Sequence, residues 1–225
     1  WTCKFQANEQ EIEFLESKLQ QDKRVAQFLI GVVAIILFLI LFFDKLIIKA
    51  EYWPVIALTW RGSFLFGCCL FALALNYVKT PQQFQNLALI FVLLLFVNLQ
   101  AMMLTYHDEY VLHVFFDVII LIAIYFSTLF SFNTAWVLGI SYGVVGTLMV
   151  CFTKTVELHT LIMVLLSYLA ANLAGIVISA QEHLLKRRLF YRNERLKALA
   201  LEMKSQAYKD SLTQIPNRRA FDDNY

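Results

Sequence analysis

Two charged side chains stand inside apolar stretches of this chain: Arg61, in the run that begins at Trp53, and Asp117, in the run that begins at Tyr110. Charge in hydrocarbon is costly, so an ionisable residue there marks either a functional site or a paired structural one. At 1.5 Å per residue, Arg61 lies about 12 Å inside Trp53 and Asp117 about 10 Å inside Tyr110. Asn98 and Gln100, in the run between, lie about 9–12 Å from its far end at Tyr106. Four polar residues from three runs therefore share one level, with Trp60, Tyr106 and His113 close by. Two kinds of chemistry fit them. One is a structural ion pair with amide hydrogen bonds, the polar glue of membrane bundles. The other is a ligand pocket open to the outside, where Arg61 holds a carboxylate or carbonyl and the aromatics hold an apolar body. A ligand competing for Arg61 would loosen such a pair, so both readings can describe one site.

Metal chemistry is the weaker alternative. His107, His113 and His159 fall near Asp108, Glu109 and Glu157, and imidazole with carboxylate binds zinc or copper. However, His107 and His113 are not three or four residues apart, the spacing that stacks ligands on one helical face. No metal ligand is assigned. Cys3, Cys68, Cys69 and Cys151 show no spaced framework and read as reduced packing residues. Tyr52, Trp53, Trp60, Tyr106, Tyr110 and Trp136 sit near the ends of apolar runs, where an interfacial aromatic belt accounts for them.

Composition says what must position these groups. Of 225 residues, 60% are hydrophobic and 16% charged, whereas soluble domains average about half apolar and a quarter charged. The charges crowd into residues 1–24 and 181–225, leaving the centre too poor in charge to cover a water-soluble surface. Disorder and disulfide-rich secreted scaffolds are excluded on the same ground. A helix needs about 20 apolar residues to cross a bilayer, and six stretches qualify: 26–43, 53–78, 84–106, 110–130, 134–152 and 159–180. Short connections make successive helices antiparallel neighbours, and six crossings return both termini to one side. Lys23 and Arg24 before the first run, and Lys186, Arg187, Arg188, Arg192, Arg195 and Lys197 after the last, make that side cytoplasmic. The fold class is an all-α membrane protein, a six-transmembrane-helix bundle followed by a cytoplasmic coiled-coil signalling helix.

Residues 1–24 form a cytoplasmic amphipathic helix with Ile12, Leu15 and Leu19 on one stripe, and residues 25–180 the bundle. Beyond it, Leu185, Leu189, Arg192, Leu196, Leu199, Met203 and Gln206 alternate by four and three, the heptad seam of a dimeric coiled coil over 181–208. A single amphipathic helix is the alternative, since Arg192 and Gln206 make the seam weak. The chain opens on Trp1 rather than Met, behind which lies no basic signal-peptide flank, and it reads as an excerpt of a longer protein.

Residues 209–225 read KDSLTQIPNRRAFDDNY. They resemble the opening of the GGDEF domain of bacterial diguanylate cyclases, D-x-L-T-G-L-x-N-R-R-x-F, at Asp210, Leu212, Thr213, Asn217, Arg218, Arg219 and Phe221. Gln214 stands where the family has Gly, and Ile215 where it has Leu. The resemblance implies a membrane-bound enzyme of the bacterial inner membrane, with a six-helix MASE-like sensor, that condenses two GTP into cyclic di-GMP as a homodimer. It implies Mg, GTP-binding groups and the signature loop downstream of Tyr225, so no catalytic residue falls in this chain. Asp210 and Arg218 carry over as a structural pair. Fainter similarity, in Tyr52-Trp53-Pro54 with a basic residue after it and in Ala171-Asn172-Leu173, links the bundle to six-helix quorum-sensing kinases. It implies a small amphiphilic ligand in the outer leaflet, beside membrane lipids and with no nucleic acid. Two other classes remain open: a receptor whose GGDEF domain is degenerate and regulates a phosphodiesterase, and a small transporter or channel. Against the latter stand the few interrupting glycines (Gly139, Gly143, Gly146) and the lack of internal repeats.

Overall fold

The computed structural model describes residues 8–47, 55, 57–107, 111–127, 129–209 and 215. Regular structure among them is helical throughout. The elements are α1 (Asn8–Ile47), a π-helical turn (Ala57–Arg61), α2 (Gly62–Tyr77), α3 (Pro81–Met103), α4 (His113–Ser127), α5 (Phe132–Thr153) and α6 (Leu158–Ala207). The chain divides into two units, Trp1–His183 and Leu184–Tyr225.

Local chemistry sets the boundaries. At the start of α3, Thr80 Oγ1 accepts from the Gln83 backbone N–H at 3.3 Å and Gln83 Oε1 accepts from the Thr80 N–H at 3.3 Å. This reciprocal cap, with Pro81 in the first turn, satisfies donors that the helix itself cannot. Ser131 does the same for α5 by accepting from the Thr134 N–H at 3.3 Å. No proline interrupts α1, so the amphipathic N-terminal segment and the first apolar run form one helix rather than two. Its inward face also differs from the expected stripe. Phe14 and Leu19 are buried while Ile12 is exposed; on the buried face Lys18 pairs with Asp22 at 2.9 Å and stands over the Phe14 ring.

Among the described residues, four helices are long and apolar enough to cross a membrane: α1, α3, α5 and α6. The other two expected spans are shorter. α2 is 16 residues long, preceded by the π turn, and α4 is 15, about 22 Å at 1.5 Å per residue. Tyr106, expected inside the third run, instead follows a turn after α3, in which the Thr105 and Tyr106 N–H groups bond Met102 O and Met103 O at 3.0 and 3.4 Å.

The first unit turns many large apolar side chains outward and buries several charged ones. Phe28, Phe42, Phe66, Phe115, Phe126 and Phe152 are exposed, while Arg61, Asp117 and Lys154 are buried. A hydrocarbon surround reverses the usual sorting in this way, since charge there must be satisfied internally. α1 packs on α2 and α3, and both α3 and α4 pack on α5. Glycines let α5 and α6 take aromatic rings at close range. A Cβ on Gly146 would lie 2.6 Å from the Tyr168 hydroxyl, and one on Gly143 would lie 3.3 Å from Tyr168 Cβ.

In the second unit the helix runs to Ala207. The seam residues Leu185, Leu189, Leu196, Leu199 and Met203 are all exposed in the single chain. The GGDEF-like residues Asp210, Leu212, Thr213, Asn217, Arg218 and Arg219 lie outside the described residues, as do Asp108, Glu109 and the Tyr52-Trp53-Pro54 motif.

Candidate functional site

Asp117 projects from α4 and is 3% exposed. Tyr142 of α5 donates to its Oδ1 at 2.8 Å, and Tyr168 of α6 donates to its Oδ2 at 2.6 Å. Each carboxylate oxygen is thus held by a hydroxyl from a different helix. The Tyr142 ring is itself fixed by Phe96 of α3, with centroids 4.1 Å apart, and stands edge-on to Tyr168 at 6.2 Å. Gln100 of α3 is buried beside both tyrosine hydroxyls. Its Oε1 is buried without a hydrogen-bond partner among the described residues. Four helices therefore converge on one carboxylate.

A second link continues from it. Asn172 of α6 donates to the Tyr168 carbonyl at 2.9 Å, and its Oδ1 accepts from Tyr125 of α4 at 2.7 Å. Gly139 makes the room, since a Cβ there would lie 2.7 Å from Asn172 Oδ1, and Gly175 would meet the Tyr125 ring. The path Asp117–Tyr168–Asn172–Tyr125 ties α4 to α6 twice. Buried polar groups in such a network must be satisfied together, because each one left unpaired is costly.

Arg61 belongs to a separate cluster. It ends the π-helical turn, a geometry frequent at functional sites. It is 1% exposed, and its Nη2 donates to the Tyr106 hydroxyl at 3.1 Å. The Tyr106 ring stands 5.9 Å from the buried His113 ring. Lys154, where the backbone leaves α5, folds back and donates to the carbonyls of Tyr106 and His107 at 3.0 and 3.1 Å. Its ammonium also lies 5.9 Å from the Tyr106 ring centroid. Two cations, a phenol and an imidazole therefore meet where α2, α3, α4 and α5 end. This arrangement of donors suits a carbonyl or anionic group.

The single polar level expected from the sequence resolves into three places. Asp117 and Gln100 share the tyrosine cluster; Arg61, Tyr106 and His113 share the helix-end cluster. Asn98 faces elsewhere, because two residues along a helix turn the side chain by about 200°. It is buried in the wall of an α2–α3 groove of about 300 Å³ together with Trp60, which is 42% exposed. Asp117 is bound by tyrosines and not by Arg61, so the expected Arg61–Asp117 ion pair is replaced by two neutral-donor clamps on the carboxylate. Among the described residues, no three His, Cys, Asp or Glu side chains converge as metal ligands.

Tyr125, Tyr142, Tyr168 and Lys154 are not among the sequence-predicted site residues, and Asn172 enters only through the Ala171-Asn172-Leu173 similarity. Their signal is present: Tyr142 and Tyr168 lie mid-run, away from an aromatic belt, and on α5 Gly139 clears space for Tyr125 while Gly143 and Gly146 clear it for Tyr168.

No family model matches the chain, and neither a curated protein nor a solved structure matches it.

Proposed function

We propose that the chain is the membrane sensor and transmitter region of a diguanylate cyclase. In this reading six helices cross the bacterial inner membrane, α2 and α4 included, with both termini cytoplasmic. The bundle receives a small amphiphilic ligand or a membrane signal at the Arg61 and Asp117 clusters. The observation that carries the sensing role is that Tyr168, which clamps Asp117, sits on α6, the helix that also bears the seam leucines. A change at the carboxylate thus acts on the same element that would pair two copies in a coiled coil. The exposure of Leu185, Leu189, Leu196 and Leu199 in one chain supports a seam that a second copy covers. A change of register there would bring two GTP-loaded domains together or part them.

The catalytic assignment rests on the match of residues 210–221 to the GGDEF opening, and no residue of this chain is given to GTP or Mg. Incubating the full-length protein with GTP and Mg should yield cyclic di-GMP. No product from a protein whose downstream GG(D/E)EF loop is intact would sink the assignment. A degraded loop would point instead to a nucleotide-binding regulator.

A further inference from the structure

We propose that the cavity among α1–α4 receives an acyl chain of an anionic phospholipid of the cytoplasmic leaflet, with its headgroup on Lys23, Arg24 and Lys79. The cavity measures about 80 Å³ and is walled by Ala26 and Ile30 of α1, Leu75 of α2, Ala88 and Val92 of α3, and Ala123 of α4. Ser127, the polar residue in its wall, spends its hydroxyl on the Ile124 carbonyl at 2.8 Å. An apolar space of this kind does not hold water, and left empty it forfeits dispersion contacts. A narrow hydrocarbon chain fills it without stranding a polar atom.

The basic groups are placed by Gln27. Its Nε2 donates to Asn76 Oδ1 at 3.1 Å and to the Ala72 carbonyl at 3.5 Å, joining α1 to α2 beside the cavity residues Ala26 and Leu75. Lys23 lies four residues before Gln27, on the same helical face. Lys79 lies three residues beyond Asn76 in the connection to α3, whose backbone is pinned by the Lys79 N–H to Gln83 Oε1 at 3.0 Å. Lys23, Arg24 and Lys79 thus stand at the level just beyond the Gln27–Asn76 bond. Lys79 and Arg24 are exposed, and none of the three has a carboxylate partner among the described residues. Positive charge at the end of a hydrocarbon slot fits a phosphate headgroup with its chain below. The inference depends on the proposed function only for the side of the membrane.

The test is native mass spectrometry of the full chain in nonionic detergent with phosphatidylglycerol, phosphatidylcholine of the same acyl chains, and oleate. Phosphatidylglycerol should be retained preferentially. Replacing Lys23, Arg24 and Lys79 by Gln should weaken it by about fivefold per charge removed, bringing it to the level of phosphatidylcholine. Ala123→Phe should lose both lipids, and the smaller Ala123→Leu should lose them in part, which keeps the test intact if the larger side chain prevents folding. Equal retention of the two lipids by the unaltered chain, or unchanged retention in a folded Ala123 variant, overturns the proposal. Oleate displacing phosphatidylglycerol at equal concentration overturns the phospholipid assignment in favour of a free fatty acid. The readout is independent of cyclic di-GMP, so its failure and that of the cyclase reading are distinguishable.

Discussion

The Tyr168 hydroxyl donates to Asp117 Oδ2 at 2.6 Å while Tyr142 holds the other oxygen at 2.8 Å, so one buried carboxylate is shared between α5 and α6. Removing either hydroxyl leaves part of a desolvated carboxylate unsatisfied. Hydrogen bonds in membrane bundles are worth about 0.5–2 kcal/mol. Tyr168→Phe and Tyr142→Phe should each lower stability by that amount, read as thermal melting in detergent. In an Asp117→Asn background the losses should shrink. A fully additive cycle would show that the hydroxyls do not act through Asp117.

Gly139→Ala and Gly175→Ala both place a methyl group on the Tyr125 side chain. Overpacking of this kind costs about 1–3 kcal/mol. Because both changes displace the same ring, the double variant should melt close to the worse single one, and Tyr125→Ala should relieve each. Simple addition of the two losses would contradict the shared contact.

Arg61→Ala removes the donor to the Tyr106 hydroxyl from a residue that is 1% exposed. Stability should fall by about 1–3 kcal/mol, the cost of an unsatisfied buried group; under the proposed cyclase function, cyclic di-GMP output of the full-length protein should also cease to follow its signal. Lys154→Met, which frees the Tyr106 and His107 carbonyls, should impair the same response. Unchanged output and unchanged melting in both variants would remove this cluster from consideration.

In a cysteine-free background, Leu189→Cys and Leu196→Cys should cross-link two copies in native membranes, and Ala198→Cys, off the heptad seam, should not. Equal cross-linking at all three positions would argue against a coiled coil and for a lone amphipathic helix.

Much of this architecture is legible in the residues. Thr80-Pro81-Gln82-Gln83 is an explicit helix start, and the apolar runs locate the long helices. Arg61 and Asp117 stood out because charge is rare in such runs. What could not be read was which way each side chain turns. Asn98 and Gln100 stand two apart and so face opposite ways on a helix, but which one meets α2 and which the tyrosines depends on how the helices pack. Lys154 looked like an ordinary loop residue, because its burial comes from folding back over Tyr106, a contact between segments far apart in the chain. The length of α4 is not legible either: the apolar run 110–130 is long, but a turn precedes the helix His113–Ser127, and hydropathy does not distinguish a turn from a helix.

The π-helical turn at Ala57–Arg61 carries one residue more per loop than an α-helix would. The surplus is absorbed where Arg61 meets α2, so the turn can lose one residue from 57–60 and close to α-helix with little change in the direction Arg61 faces. One residue inserted just after Gly62, in regular helix with no bulge to absorb it, would instead rotate Arg61 by about 100° relative to the rest of α2 and carry it away from Tyr106. The turn therefore holds a spare residue, and a deletion tolerated there beside an insertion not tolerated in α2 would be its signature.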